Sequence, residues 1–401
     1  MMGPRQEAQS ALFYDFSIDD HVPTDHVLRA IDGVIDLSSV RTHLTEFYSS
    51  TGRPSIDPEL MMRMLLVGYV MGIRSERRLC EEVHLNLAYR WFCKMDLSDP
   101  IPDHSTFSKN RHGRFRDSDV LRHVFETVVA QCIEAGLASG QRYAADASII
   151  AADANRQKST PKADWNPEVI DPDDAPRAVR EYLDTLDDAA FGAASPVVPK
   201  FISHSDPASQ WTGARGGPAY FAYSTNYLID TDNAVILDVE PIRSIRQAEV
   251  GAVKTMIDRV RKTHDLKPER LIADTAYGSG SMLDWLVEKR GIAPHIPVID
   301  KSGRKDGTFE RADFTFDVEN DLYICPGGKE LKQYRRAYKT PRTGANKDET
   351  LRYRARKPDC DACPLKQRCC PKEPQRKVTR SIFESSRDVA RRYFQVVAGP
   401  L

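Results

Sequence analysis

The hydrophobic period changes at Gln141, and this change most constrains what the chain can fold into. From Pro23 to about Leu137 apolar residues recur at helical spacing, whereas RYAADASII (Arg142 to Ile150), announced by Gly140, reads as a short buried strand. An all-α region therefore precedes a region with strands. In the first, Thr24 and Asp25 are placed to cap a helix holding Val27, Leu28, Ile31 and Ile35, and Asp57 with Glu59 opens the apolar run Leu60 to Ile73. That run is interrupted by Arg63 and falls short of the roughly 20 residues of a bilayer span. It is a core helix, and no membrane partner is expected. Ser75 to Lys94 continues the helical pattern through Leu79, Cys80, Val83, Leu87 and Trp91 to a break at Pro100–Pro102. Asp103 to Arg116 then predicts a compact basic helix carrying Lys109, Arg111, Arg114 and Arg116.

Beyond Gly140 the strand is followed by an acidic, proline-bearing connector: Asp146 to Asp188 holds 11 acids against 5 bases. Tyr220 to Ile229 and Ala234 to Val239 read as a hairpin across Asp230–Asn233. Val250 to Lys262 is an amphipathic helix, Arg270 to Ala273 a short strand and Ser281 to Lys289 another helix, an α/β order with at least one parallel pairing. The expected fold class is thus α/β, a mixed sheet flanked by helices, with an all-α domain before it.

Charge is balanced overall, 57 Lys and Arg against 58 Asp and Glu, which excludes a uniformly basic nucleic-acid coat and a long acidic tail. The balance is local as well as global only in part: Lys329 to Arg380 holds 17 bases and 6 acids. Arg335, Arg336, Arg352, Arg354, Arg356 and Lys357 are interleaved there with Tyr334, Tyr338 and Tyr353, cations suited to phosphate and aromatics suited to stacking on exposed bases. The basic helix near residue 110 fits phosphate contact or a solvated face equally well. The N-terminus has no signal-peptide pattern, so a cytoplasmic, nucleoid-associated home is expected.

Two constellations carry candidate chemistry. Asp146 in YAADAS and Asp274 in LIADTAYGSG each follow a short apolar strand. Carboxylates at neighbouring strand ends converge on one crevice, where they can share Mg²⁺ or Mn²⁺, which keep water and phosphate in their remaining positions. An Asp after a strand is, taken alone, more often a turn or helix-capping residue. The second constellation is Cys360 and Cys363 in a C-x₂-C knuckle, with Cys369 downstream and Cys325 in YICPGG available to complete a tetrahedral thiolate set for structural Zn²⁺. The adjacent Cys370 leaves the fourth ligand open, and inert thiols or a redox pair are the rival readings.

Taken together these blocks resemble a DDE transposase of a bacterial insertion sequence, of the insertion-sequence 1182 type within the wider group that includes the insertion-sequence 5 and 4-like types. The likeness runs through PDHSTFSKNR (Pro102 to Arg111), YAADASIIAADANRQ, HSDPASQW with FAYSTNYLID, LIADTAYGSG, and YICPGGKEL with CDACPLKQRCC. It implies an RNase H-like catalytic core with Asp146 and Asp274 as catalytic, metal-holding acids, and a third acid, normally Glu on a late Arg-rich helix. RSIFESSRDVARRYF resembles the start of the closing region, but the block with that Glu is not found before Leu401, so the chain reads as truncated, and Glu384 does not match the expected position. The implied domains are 1–137 (all-α, DNA-binding), 138–300 (catalytic core), 301–380 (basic Cys-bearing insertion) and 381–401 (start of the closing helices). The implied function is binding of terminal inverted repeats, with metal-dependent cleavage and strand transfer into target double-stranded DNA by a homodimer. An inactive DNA-binding remnant and a host RNase H-like nuclease are the alternatives.

Overall fold

A computed structural model of the chain describes residues 16–49, 51–52, 54–166, 169–171, 175, 179–180, 200–213, 217–243, 246–300, 302–304, 306–333, 344–346 and 349–397. Tyr334, Arg335, Arg336 and Tyr338, much of the acidic connector and the last four residues lie outside them. The chain divides into two compact units, Met1–Ala135 and Gly136–Leu401.

The first unit is helical: α1 (Ile18–His21), α2 (Val27–Val34), α3 (Ser38–His43), α4 (Pro58–Val70), α5 (Glu76–Leu85), α6 (Leu87–Phe92), α7 (His104–Asn110) and α8 (Val120–Glu134). Asp57 caps α4, its carboxylate accepting from Glu59 N–H at 2.8 Å, but α2 is capped by His26, whose Nδ1 accepts from Leu28 N–H at 3.2 Å, rather than by Thr24 or Asp25. The stretch expected as one helix over Ser75–Lys94 is two. Asn86 accepts from the N–H groups of Ala88 and Tyr89 and so caps a new start at α6. Leu28, Val40, Leu44, Met61, Met64, Val67, Val83, Phe92 and Phe107 form the core. Two buried arginines are satisfied within it: Arg63 pairs with Asp32 at 2.7 Å and donates to Phe92 O at 3.0 Å, and Arg90 donates to His84 O at 3.0 Å. Among the described residues no helix is long and apolar enough to cross a membrane.

The second unit is built on a mixed six-stranded sheet. Its strands are β1 (Arg142–Ala151), β4 (Gln210–Gly213), β5 (Ala219–Asp230), β6 (Val235–Arg243), β7 (Arg270–Ile272) and β8 (Ala293–His295); β2 (Ser159–Pro161) and β3 (Phe201–Ser203) form a separate ribbon. The order is β4-β5-β1-β7-β8 with β6 also paired to β5; β1–β7 and β7–β8 are parallel, the rest antiparallel. The β5–β6 hairpin matches the alternation of apolar residues and turns through Ala234, whose φ is +57°. Asp230, fully buried, fixes the entry to β1 by accepting from Ser139 and Gly140 N–H, each at 3.0 Å, while its other oxygen accepts from Asp232 N–H at 3.0 Å. Helix α9 (Arg246–His264) packs on β5 and β6 through Ala252, Val253, Met256, Ile257 and Val260. Arg259 ties it to Asp238 at 2.8 Å and Glu240 at 2.5 Å.

The segment around the cysteines has a small core of its own. It contains β9 (Thr315–Asp317), β10 (Leu322–Ile324), β11 (Glu330–Leu331), β12 (Thr350–Arg354) and β13 (Lys377–Ser381), with the short helices α11 (Lys357–Asp361) and α12 (Lys366–Cys369). Helix α10 (Gly280–Asp284) lies between β7 and β8, and the helix Glu384–Val397 closes the fold against β8 and α10. Tyr353 is buried in this core, edge-on to Phe316 and Tyr323, with its hydroxyl donating to Asp321 at 2.5 Å. It is therefore a packing residue and not a platform for a base. Its neighbours in register, Arg352 opposite Thr379 and Arg354 opposite Lys377, lie on the other face of the β12–β13 hairpin, where Arg352 and Lys377 are exposed.

Candidate active site

Asp146 and Asp274 reach one place by strand register. In the parallel pair β1–β7, Ala144 stands opposite Ile272. Two residues further along come Asp146, still inside β1, and Asp274, two residues past the end of β7, both within electrostatic reach of the Tyr277 hydroxyl. Asp146 is not at a strand end as the sequence suggested. It lies inside β1, which runs on to Ala151 because residues assigned to the acidic connector pair with β5 as far as Ala222. An Asp is tolerated there because the buried positions Tyr143 and Ala145 alternate with it, leaving Asp146 on the exposed face opposite Tyr227.

Each carboxylate has one oxygen tied locally. Asp146 Oδ1 accepts from Ala147 N–H at 2.8 Å, and Asp274 Oδ1 accepts from Ala276 N–H at 2.7 Å, capping the turn Thr275–Tyr277. Asp274 is thus both a cap and a candidate ligand, and the capping holds it in place. Both side chains are exposed, and neither enters an ion pair among the described residues. The following Gly278 is fixed by contact: a Cβ there would lie 1.9 Å from the Pro297 carbonyl oxygen, so only glycine lets the chain after Asp274 pass.

Tyr277 and Glu249 were not singled out by sequence reasoning. Tyr277 is 2% exposed and its hydroxyl has no hydrogen-bond partner. Burial, then the negative charges of Glu249, Asp274 and Asp146, push this phenol well above its ordinary range. All three carboxylates therefore act on one buried hydroxyl. Glu249 also accepts from Ser224 Oγ at 3.2 Å. The available signal was weak: Glu249 begins an ordinary amphipathic helix, and only the fold turns it toward Tyr277.

Two exposed carboxylates in register suit Mg²⁺ or Mn²⁺, which need few protein oxygens and complete their shells with water and phosphate. Among the described residues no group of three or more His, Cys, Asp or Glu forms a ready metal cage. Glu384 is unavailable as a third ligand. It is 2% exposed and paired with Arg311 at 2.5 Å, Arg391 at 2.8 Å and Arg387 at 3.3 Å.

The basic candidates separate into two kinds. Arg111 pairs with Glu76 at 3.0 Å and donates to Tyr69 Oη at 3.1 Å, while Arg114 donates to Phe47 O at 2.9 Å and stacks over the Tyr48 ring. Both brace α7 and the turn after it against the first unit. Lys109 and Arg116 are exposed. Replacing Lys109 and Arg116 together by Ala is expected to lower DNA affinity and flatten its salt dependence by about one to two units of log–log slope. Arg111→Ala is expected to lower stability by about 1–3 kcal/mol, because it strands Glu76. Salt titrations and melting curves check both; an unchanged slope in the double variant would return these cations to a solvated face.

The five downstream cysteines, Cys325, Cys360, Cys363, Cys369 and Cys370, are free thiols lining one cavity. Burial pushes the Cys369 thiol up to about 12.

Comparison with family models matches residues 16–113 to a transposase domain (DUF772) and residues 193–358 to a transposase DDE domain. Comparisons with curated proteins and with solved structures gave no match. The two matched segments are transposase domains, the second of the DDE type found in polynucleotidyl transferases that act on DNA. Transposase DDE domains generally use divalent metal ions.

Proposed function

We propose that this chain, of the insertion-sequence 1182 type, binds the terminal inverted repeats of its element and cleaves DNA at their ends, the freed 3′-hydroxyl then attacking target DNA. The supporting observation is that Asp146 and Asp274 each lie two residues beyond the Ala144–Ile272 pair of adjacent parallel strands and both act on the buried Tyr277 hydroxyl. These two residues would hold Mg²⁺ or Mn²⁺. An ion held by them would supply activation of the attacking water and compensation of charge on the leaving oxygen. Asp146 and Asp274 supply the anchoring oxygens, the turn at Gly278 keeps Asp274 oriented, and Lys109, Arg116, Arg352 and Lys377 supply cations for the backbone. In this reading residues 1–137 bind DNA, 138–300 form an RNase H-like core, 301–380 form a basic insertion and 381–401 begin the closing helices. Two protomers pair two element ends.

A second reading, a DNA-binding remnant without cleavage, is favoured by one observation: Glu384 is committed to three arginines and cannot complete a three-acid site. The test is nicking of duplex DNA carrying the element's own terminal repeats, with Mg²⁺ and with a chelator. Mg²⁺-dependent nicks at the repeat boundary are expected. Repeat-specific binding with no nick under any divalent ion selects the remnant, and equal affinity for unrelated duplex refutes both.

A further inference from the structure

Arg376 poses an electrostatic problem that its carboxylate neighbours do not solve. It is 5% exposed, it donates to Cys369 O at 2.9 Å and Phe309 O at 2.5 Å, its Nε has no hydrogen-bond partner, and no carboxylate pairs with it among the described residues. Asp306 acts on it only at a distance, and a buried, permanently charged guanidinium without a directly paired carboxylate is costly. It lines, together with Lys329 and Lys366, the same cavity of about 20 Å³ as the five thiols, with Asp359 the single acid there. Lys366 is already paired with Asp361 at 2.5 Å. A volume of this size admits one water or one ion.

The backbone brings thiols to the cavity from two directions. In the β10–β11 turn, Lys329 N–H donates to Cys325 Sγ at 3.3 Å, and Gly328 N–H donates to Cys325 O at 2.8 Å. Gly327 stands between this sulfur and the knuckle: a Cβ on it would lie 3.7 Å from Cys325 Sγ and 3.4 Å from Cys363 Sγ. Cys360, at the end of α11, is a side-chain hydrogen-bond partner of Cys370 and lies within electrostatic reach of Cys325. All five thiols line the cavity, and Cys370 stands between Cys360 and Cys369 as the side-chain hydrogen-bond partner of both. The core around them is small, and three of its nine buried side chains are Cys360, Cys369 and Cys370. A core of this size ordinarily needs a staple.

We propose that Cys325, Cys360, Cys363 and Cys370 bind one structural Zn²⁺ as thiolates, giving a site of net charge about −2 that compensates the buried Arg376. The four thiol protons leave to solvent on binding, and the side chains close round the ion to about 2.3 Å. Cys369 stays a neighbouring thiol. The proposal is independent of the catalytic reading, since a four-thiolate site leaves no open position for chemistry.

The full chain, purified under reducing conditions without chelator, is expected to carry about one zinc by elemental analysis. Replacing zinc by Co²⁺ is expected to give the intense sulfur-to-cobalt absorption of tetrahedral thiolate coordination. Cys325→Ser and Cys370→Ser should each lower zinc content at least tenfold, whereas Cys369→Ser and Cys80→Ser should keep it. Because ligand variants can misfold, the unmodified chain supplies a second measurement: alkylation mapped by mass spectrometry should spare the four ligands until a chelator is added. No zinc and no cobalt spectrum after reconstitution, or alkylation indifferent to chelator, would overturn the site. Loss of zinc in Cys369→Ser but not in Cys370→Ser would overturn the assigned fourth ligand.

Discussion

Asp146→Asn and Asp274→Asn should each abolish Mg²⁺-dependent nicking, a fall of about three orders of magnitude or more, while changing stability by less than about 0.5 kcal/mol. The catalytic loss follows from removing one of two anchoring charges, since metal stabilisation of the transition state is worth several kcal/mol and each 1.36 kcal/mol is about tenfold in rate. The stability estimate follows from geometry. Asp146 is exposed on its strand, and Asn caps a turn about as well as Asp, so the hydrogen bond from Ala276 N–H survives in Asp274→Asn. Binding of Mn²⁺, followed by its electron paramagnetic resonance, provides a readout that does not require cleavage: each variant should weaken it at least tenfold. Two variants that bind Mn²⁺ as the parent does would remove both residues from the metal site.

Why these two residues were legible in the sequence while their setting was not is a matter of range. The periodicity of Arg142 to Ile150 and of Arg270 to Ala273 announces strands, and parallel neighbours in an α/β sheet bring corresponding positions together. What no local pattern encodes is register. Only the pairing of Ala144 with Ile272 reveals that Asp146 and Asp274 continue adjacent parallel strands, and only pairing with β5 as far as Ala222 extends β1 past the point where acidic composition suggested a loop. Tyr353 illustrates the converse error. In sequence it sits among arginines, as a stacking residue would, but strand alternation sends Arg352 and Arg354 to one face and Tyr353 to the other. The internal contacts of Arg111 and Arg114 were hidden for a related reason: their partners, Glu76 and the Phe47 carbonyl, are remote in the chain. The helix break at Asn86 was legible in principle, since Asn is a strong cap, but the apolar stripe running across it masked the signal.

Glu384→Gln is expected to destabilise the second unit by about 3–5 kcal/mol, the usual cost of removing one partner from a buried ion-pair cluster. Arg311, Arg387 and Arg391 converge on Glu384 and on Asp300, with Arg311 at 3.0 Å and Arg391 at 2.8 Å from Asp300. Gln leaves the three guanidinium groups with Asp300 and, for Arg391, the more exposed Asp388. Burial pushes Asp300 up, but the Ser302 hydroxyl and N–H, with Arg311 and Arg387, outweigh it and hold this carboxyl at about 2. Glu384 likewise lies below its ordinary value, burial being outweighed by the hydrogen bonds from Arg311 and Arg391. Carboxylates lowered in the folded state contribute stability that is present above their unfolded values and is lost as pH falls through the folded ones. The gap between parent and Glu384→Gln should therefore be widest near neutrality and close as acid protonates Glu384, because the protonated side chain and Gln are both neutral. Hydrogen exchange of the helix Glu384–Val397 measures this directly: at neutral pH protection should fall by roughly two or three orders of magnitude in the variant. Protection unchanged at neutral pH would mean that the cluster is not what holds this helix against β8, and Glu384 would again be open to a role at the metal.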